Sequence, residues 1–277
     1  MKRILITFFV ITVITIGICY VVFETPWHTA TGRHISIFPN SGSAISMDGE
    51  SEITDDTENL LPDDLDSILV DTKTVPLDTI PSSTTVLVNR DYLLPSSYTP
   101  KKLVVPKIRF SFNYMDDKRL MRKDAARALE KMFRDAKKKK NIILYGVSGY
   151  RSYQRQREIY LRNVALRGRA ETDTESAKPG SSEHQTGLTI DISAASVGNS
   201  LIQAFADTKE GRWVEKNAHK YGYIIRYPQG KAKITGYHFE PWHIRYVGTT
   251  VATYLYKNKL TLEEYYGLRP RKQTEKE

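Results

Sequence analysis

The sequence predicts an α+β domain: an antiparallel sheet with flanking helices, behind an N-terminal apolar segment and an acidic linker. Three observations point there. Apolar residues recur at helical spacing over 119–138. Short strand-like runs at 142–147, 188–192, 223–227 and 237–240 are separated by turns and helical stretches. The chain shows no internal repeat, and its single cysteine rules out a disulfide framework. Helices and antiparallel strands in this order suit a sheet with helices on one side. A length of 277 residues with 40% hydrophobic content is enough for one sizeable core.

Met1-Lys2-Arg3 precedes an uncharged run over 4–23. About 20 apolar residues cross a bilayer. The basic flank favours an inside N-terminus and an outside remainder. No small-residue cleavage site stands near Phe23. Residues 1–23 are therefore expected to be a retained single-pass membrane anchor with the rest of the chain outside; secretion after signal cleavage is the alternative. Cys19 lies in this segment, and the bulky Ile18 before it argues against a lipid-modified cysteine. The absence of other cysteines excludes thiolate zinc sites and a cysteine nucleophile.

Residues 24–85 carry 12 acidic and 2 basic side chains and are rich in Ser, Thr, Asp and Gly. That profile is expected of a disordered linker. From 86 to 277 the balance reverses, with 20 acidic and 37 basic residues. So basic a body is drawn to polyanions. Outside a membrane the expected partner is an anionic cell envelope, not nucleic acid.

The folded domain is expected over 86–268, with a charged tail at 269–277. Val86-Leu87-Val88 reads as a strand, and Leu93-Leu94-Pro95 and Tyr98-Thr99-Pro100 as an extended, turn-rich approach. Met121, Ala125, Ala128, Leu129, Met132, Phe133 and Ala136 mark one helix face. Lys137 to Lys140 follow where cations complement the helix dipole. A buried strand at 142–147, a turn at 148–152, a helix at 153–167 and a loop at 168–180 come next. Helical stretches at 201–205 and 211–221 lead to Gly222, a plausible helix terminator. Strands at 223–227 and 237–240, joined through Gly230, and short helices at 247–256 and 261–266 complete the domain.

Three stretches carry chemistry: Ser182-Glu183-His184, Asp191, and Glu240-Pro241-Trp242-His243. Together they supply two imidazoles and a carboxylate, the donor types of a catalytic zinc ion that keeps a fourth position open. A second carboxylate, Glu240, stands ready as general base. Gly187 permits a reversal that would bring His184 from a loop and Asp191 from a strand to one point. On a regular strand Glu240 and His243 would face opposite sides. A shared site needs a bulge between them, and Pro241 is suited to one. Past it, His243 and Arg245 share a face. Among the other histidines, His28 and His34 lie in the linker, His219 in a structural helix, and His238 competes with His243 as a ligand. Arg151 stands where a strand meets a helix; its guanidinium could grip a carboxylate or anchor a helix.

Taken in order, Val86-Leu87-Val88-Asn89, Ser148-Gly149-Tyr150-Arg151-Ser152-Tyr153, Ser182-Glu183-His184-Gln185-Thr186-Gly187, Asp191-Ile192 and the run from Glu240 to Gly248 resemble the VanY-type D-alanyl-D-alanine carboxypeptidases. These are a branch of the LAS metallopeptidases, and the likeness spans about residues 86 to 256. It implies a D-Ala-D-Ala peptidase-like fold and one Zn2+ bound by His184, Asp191 and His243, with Glu240 as catalytic base. Arg151 would stabilise the developing charge on the scissile carbonyl or bind the substrate carboxylate. Gln156, Ser182 and Tyr227 would contact substrate. The implied activity is removal of the terminal D-Ala from peptidoglycan stem peptides. Thr189-Ile190 stands where relatives often have Ala-Val. Arg245 stands where many LAS enzymes carry a second His, which leaves the base role to Glu240. An L,D-carboxypeptidase, a non-catalytic wall-binding module and an extracellular interaction protein are the competing readings.

Overall fold

The computed structural model describes residues 75–270. The expected anchor at 1–23, the linker up to residue 74 and the tail from 271 lie outside the described residues. Among those described, no helix is long and apolar enough to cross a membrane.

The first described residues correct the expected linker boundary. Val75 and Leu77 pack against a cluster built on Leu87, Ile224, Val247 and Leu255. Asp78 closes a turn by accepting from the hydroxyls of Ser83 and Thr85, the latter at 2.7 Å. Leu87 N donates to Asp78 O at 2.8 Å. The folded body thus includes a strap over 75–85. Val86, Leu87 and Val88 are buried, yet they form no sheet strand, and of the three Leu87 makes the backbone bond to the strap.

A two-stranded ribbon joins β1 (Leu103–Val104) to β2 (Met121–Arg122). Helix α1 (Lys123–Lys140) follows directly, starting later than the apolar period suggested because Met121 is held in the ribbon. Ala125, Leu129, Met132, Phe133 and Ala136 line its buried face. Its lysines occupy the last turn, and Asn141 ends it in the left-handed conformation at φ 50°. Strand β3 is confined to Tyr145–Ser148 because Asn141 first turns the chain. Helix α2 (Tyr153–Arg167) starts at Ser152, whose hydroxyl accepts from Arg155 N at 3.1 Å. The expected loop after it contains a further helix, α3 (Arg169–Glu175).

Strand β4 (Thr189–Ser193) is buried at every position. Ile190 and Ile192 enter the main core with Leu129, Met132, Tyr223 and Ile244; Thr189 and Asp191 have the opposite parity. The helical stretch expected at 201–205 is a short 3-10 turn over Gln203–Asp207, and the one expected at 211–221 is helix α4 (Lys209–Asn217) running into a 3-10 turn at Ala218–Tyr221. Gly222 then turns the chain at φ 80° into β5 (Tyr223–Tyr227).

After α5 (Ala232–Thr235) comes β6 (Glu240–Tyr246), which corrects the strand expected at 237–240. Helices α6 (Thr249–Asn258) and α7 (Leu262–Tyr265) close the domain. The main sheet is antiparallel in the order β3-β4-β6-β5.

Pairing along β6 has one irregularity. Ile225 faces Ile244, and Tyr227 faces Glu240, so a two-residue step on β5 meets a four-residue step on β6. Pro241 falls within that bulge and beyond the pairing to β4, so its missing N–H breaks no ladder there.

Candidate metal centre and active site

Each site residue is delivered by a local irregularity. Ser182 leads into a 3-10 turn at Glu183–Thr186, which ends at Gly187 with φ 68°. That left-handed conformation strains any residue with a Cβ, so the reversal favours glycine. Asp191 follows on β4 and pairs with His243 across the ladder. The β6 bulge turns Glu240 to the same side as His243. A one-residue shift between Gly146 and Ser148 ends β3 beside the site and leads the chain on to Arg151.

His184, Asp191 and His243 converge: one donor atom from each lies within 4.8 Å of the others, and all three residues are buried. His184 Nε2 is 3.4 Å from Asp191 Oδ2, and His243 Nδ1 is 3.1 Å from Asp191 Oδ1. Glu240 Oε2 lies 3.6 Å from His243 Nδ1, and its side chain keeps 26% of its exposure. His238 is not part of this group. His219 stacks instead on Tyr256, ring centroids 3.9 Å apart.

The donor set fits a dication. His184 Nδ1 lies 2.6 Å from Gly149 O. A carbonyl can only accept, so Nδ1 carries the hydrogen and Nε2 presents a lone pair to the site. Burial pushes the His184 imidazole below its ordinary range, which favours that neutral form. Asp191 Oδ1 is buried without a hydrogen-bond partner. Burial would raise the Asp191 carboxyl, but the two imidazoles outweigh it and hold it well below the carboxylate range. Burial opposes charge on His243, yet Asp191, Glu183 and Glu240 together push it up to about 9. The pocket therefore favours a cation at this point. Glu240 is pushed up to about 7, mainly by burial.

Arg151 reaches the same pocket. Its Nη1 donates to Gln156 Oε1 at 2.9 Å and its Nη2 to Ser148 Oγ at 3.4 Å. Gln156 also donates from Nε2 to Ala177 O at 2.6 Å, so it holds the arginine in place. Ser182 and Tyr227 line the cavity, whose volume is about 170 Å3. The Tyr227 ring lies 4.8 Å from that of His243.

Two contributors escaped the sequence reading. Tyr237 lines the cavity and packs on Tyr227 at 4.6 Å. Glu183 sits between the buried Arg226 and Arg245, accepting at 2.7 Å from each. Arg226 also grips Glu263 through two bonds at 2.9 and 2.7 Å. These partners are scattered from 183 to 263, and no local pattern joins them.

The family described as VanY, D-alanyl-D-alanine carboxypeptidase, matches residues 118–249, the stretch that carries the three donors, Glu240 and Arg151. The putative carboxypeptidase YodJ of Bacillus subtilis (strain 168) is 51% identical over 192 residues, covering 69% of this chain and 70% of that protein. The chain belongs to the VanY family. As a VanY member it is an enzyme, a carboxypeptidase of the metallopeptidase class, in agreement with the resemblance seen in its motifs. Two solved structures extend the comparison. That of the LdcB LD-carboxypeptidase, described for peptidoglycan recognition, is 50% identical with a TM-score of 0.66; the match covers 68% of this chain and 88% of that one. A mutant of the D,D-pentapeptidase VanY from a VanB-type resistance cassette, in complex with Zn(II), is 32% identical with a TM-score of 0.52; 66% of this chain and 98% of that one are covered. The mixed helix and antiparallel-sheet fold is thus that of VanY proteins.

Proposed function

We propose that this VanY-family chain removes the terminal D-Ala from peptidoglycan stem peptides by zinc-dependent hydrolysis. The observation that carries the reading is the convergence of His184, Asp191 and His243, with Glu240 at 3.6 Å from His243. One zinc ion would be held by His184 Nε2, Asp191 and His243 Nδ1. Zinc in such a site supplies Lewis acidity toward a carbonyl and toward water.

The chain's own groups supply the rest. Glu240 keeps part of its carboxylate open to the cavity and takes the proton of the attacking water, then passes it to the leaving amine. Arg151, fixed by Gln156 and Ser148, presents its guanidinium to the substrate's terminal carboxylate or to the charge growing on the scissile carbonyl. Tyr227, Tyr237 and Ser182 wall the cavity and limit the water that enters. A non-catalytic wall-binding module has no use for a carboxylate placed like Glu240.

Two bonds release D-Ala: the D,D bond of a pentapeptide, which the family resemblance puts first, and the L,D bond of a tetrapeptide, which the motifs alone do not separate from it. The 50% identity to an LD-carboxypeptidase, against 32% to a D,D-pentapeptidase, favours the L,D bond. Turnover of purified tetrapeptide and pentapeptide by the same preparation tests this. Preference for the pentapeptide would return the assignment to the D,D bond.

We also place the domain outside the cell membrane, tethered by residues 4–23 and facing an anionic envelope. The 37 basic residues after residue 85 support that partner. A groove of about 330 Å3 adds Lys107, Arg109, Arg134 and Lys137 against one acid, Glu130, with apolar residues such as Ile108 and Phe133 completing its lining. Protease treatment of intact cells and of protoplasts tests the location; a domain shielded in both would defeat it. Binding to isolated walls that is indifferent to salt would remove the electrostatic partner.

A further inference from the structure

Glu183 precedes a metal-site residue and takes no part in the chemistry above, yet its side chain is fully buried, with 0% exposure. Its Oε1 is occupied by Arg226 Nε and Arg245 Nη1. Its Oε2 faces the site, 3.6 Å from His243 Nε2, and accepts from the Thr189 hydroxyl at 3.4 Å. His243 Nε2 is itself buried and makes no hydrogen bond. The other ring nitrogen, Nδ1, faces Asp191 and Glu240. A neutral imidazole can aim one nitrogen's lone pair at a cation only if the other nitrogen bears the hydrogen, and a carboxylate facing that hydrogen selects the arrangement.

The surroundings keep Glu183 in place. Two carboxylates, Glu183 and Glu263, face two guanidiniums, Arg226 and Arg245, so the buried charges balance without His243. Arg245 is anchored in turn, its Nη2 donating to Val86 O at 2.9 Å and Thr84 O at 3.1 Å. The carboxylate cannot swing away without stranding a buried arginine.

We propose that Glu183 is the positioning residue of His243: its Oε2 attracts the Nε2 hydrogen, so that the Nδ1 lone pair points to the ion shared with His184 and Asp191. At 3.6 Å the contact is electrostatic and longer than a formed hydrogen bond. The inference deepens the functional reading above and rests on it.

The test uses the full chain and zinc alone, without substrate. Zinc affinity is measured by competition with a chelating dye for the wild type, Glu183→Gln and Arg226→Gln. Arg226→Gln strips a charge from the same network but leaves Arg245 holding Glu183. Glu183→Gln is expected to weaken zinc binding by about 10- to 100-fold, as other outer partners of metal ligands do, while Arg226→Gln leaves it nearly unchanged. Equal losses in both variants would reduce Glu183 to a structural role and overturn the proposal. Should Glu183→Gln fail to fold, the double variant Glu183→Gln/Arg245→Gln, which leaves one carboxylate facing one guanidinium, takes its place. A second measurement needs no variant. Nitrogen-15 NMR of the zinc-loaded wild type should show His243 protonated at Nε2; protonation at Nδ1 would also overturn the proposal. Failure of the functional reading looks different: normal zinc affinity in a wild type that releases no D-Ala.

Discussion

His184 Nδ1 lies 2.6 Å from the carbonyl oxygen of Gly149, and this contact ties the end of β3 to the metal centre. It fixes which imidazole nitrogen faces Asp191. Gly149 can come so close because it has no side chain: a Cβ would meet Leu120 O at 2.6 Å and Lys118 O at 2.9 Å.

Gly149→Ala should therefore disturb the site from behind. Both clashing atoms are backbone oxygens, so the strand end must shift, at a cost of about 1–3 kcal/mol. A lower melting temperature and a weaker hold on zinc are expected together. An alanine variant with wild-type zinc affinity would show that the His184 contact is dispensable.

Glu240→Ala should cut D-Ala release by at least about 10²-fold, the usual loss for a general base, while the zinc content of the protein stays near the wild-type value. Metal analysis beside a turnover assay reads both. Retained turnover would take the base role from Glu240.

The same residue sets a pH dependence. Burial pushes Glu240 up to about 7, Asp191 adds to the rise, and His243 and Arg151 oppose it. A base works when ionised, so kcat/KM should fall as pH drops through the Glu240 value. A cation nearby favours the carboxylate and moves that midpoint below about 7, never above it. An acid limb centred well above 7, or none, would contradict the assignment.

Arg151→Lys keeps a positive charge but loses the planar fork that Gln156 and Ser148 hold. A drop in kcat/KM of about 10²-fold is expected if the guanidinium meets the reacting peptide. Repeating the assay with a C-terminally amidated peptide separates its two candidate roles. If Arg151 binds the terminal carboxylate, the amide erases most of the difference between wild type and variant.

The strap over 75–85 supplies a stability test. Burial would raise the Asp78 carboxyl, but hydrogen bonds from Ser83, Thr85 and Ile80 outweigh it and hold the carboxyl below its ordinary range. A group depressed in the folded state stabilises above its unfolded value, near 3.9, and loses that contribution as pH falls through the folded value. Asp78→Asn should cost about 1 kcal/mol at neutral pH, at the low end for a partly exposed site. The difference should vanish in strong acid. A constant difference across pH would place the effect elsewhere.

Much of the site was legible because its signals are local. Gly187 announced the reversal between His184 and Asp191. The bulge between Glu240 and His243 followed from strand parity, and Pro241 marked its place. The strand boundary was less legible: the run at 237–240 read as the strand, whereas β6 spans Glu240–Tyr246. Composition hid the strap, since Val75 and Leu77 are isolated apolar residues in an acidic stretch and find their partners only on the folded body. Glu183, Arg226, Arg245 and Glu263 gave no local sign that they belong to one cluster. They balance one another only across elements far apart in sequence, which no local window reveals.

The central claim is that a metal held by His184, Asp191 and His243 drives release of a terminal D-Ala. Mass spectrometry of stem peptides incubated with the protein, with and without a chelator, tests it most directly. The expected result is loss of one alanine residue, abolished by the chelator and restored by added zinc. Undiminished loss in the chelator, or intact peptides under every condition, would contradict it.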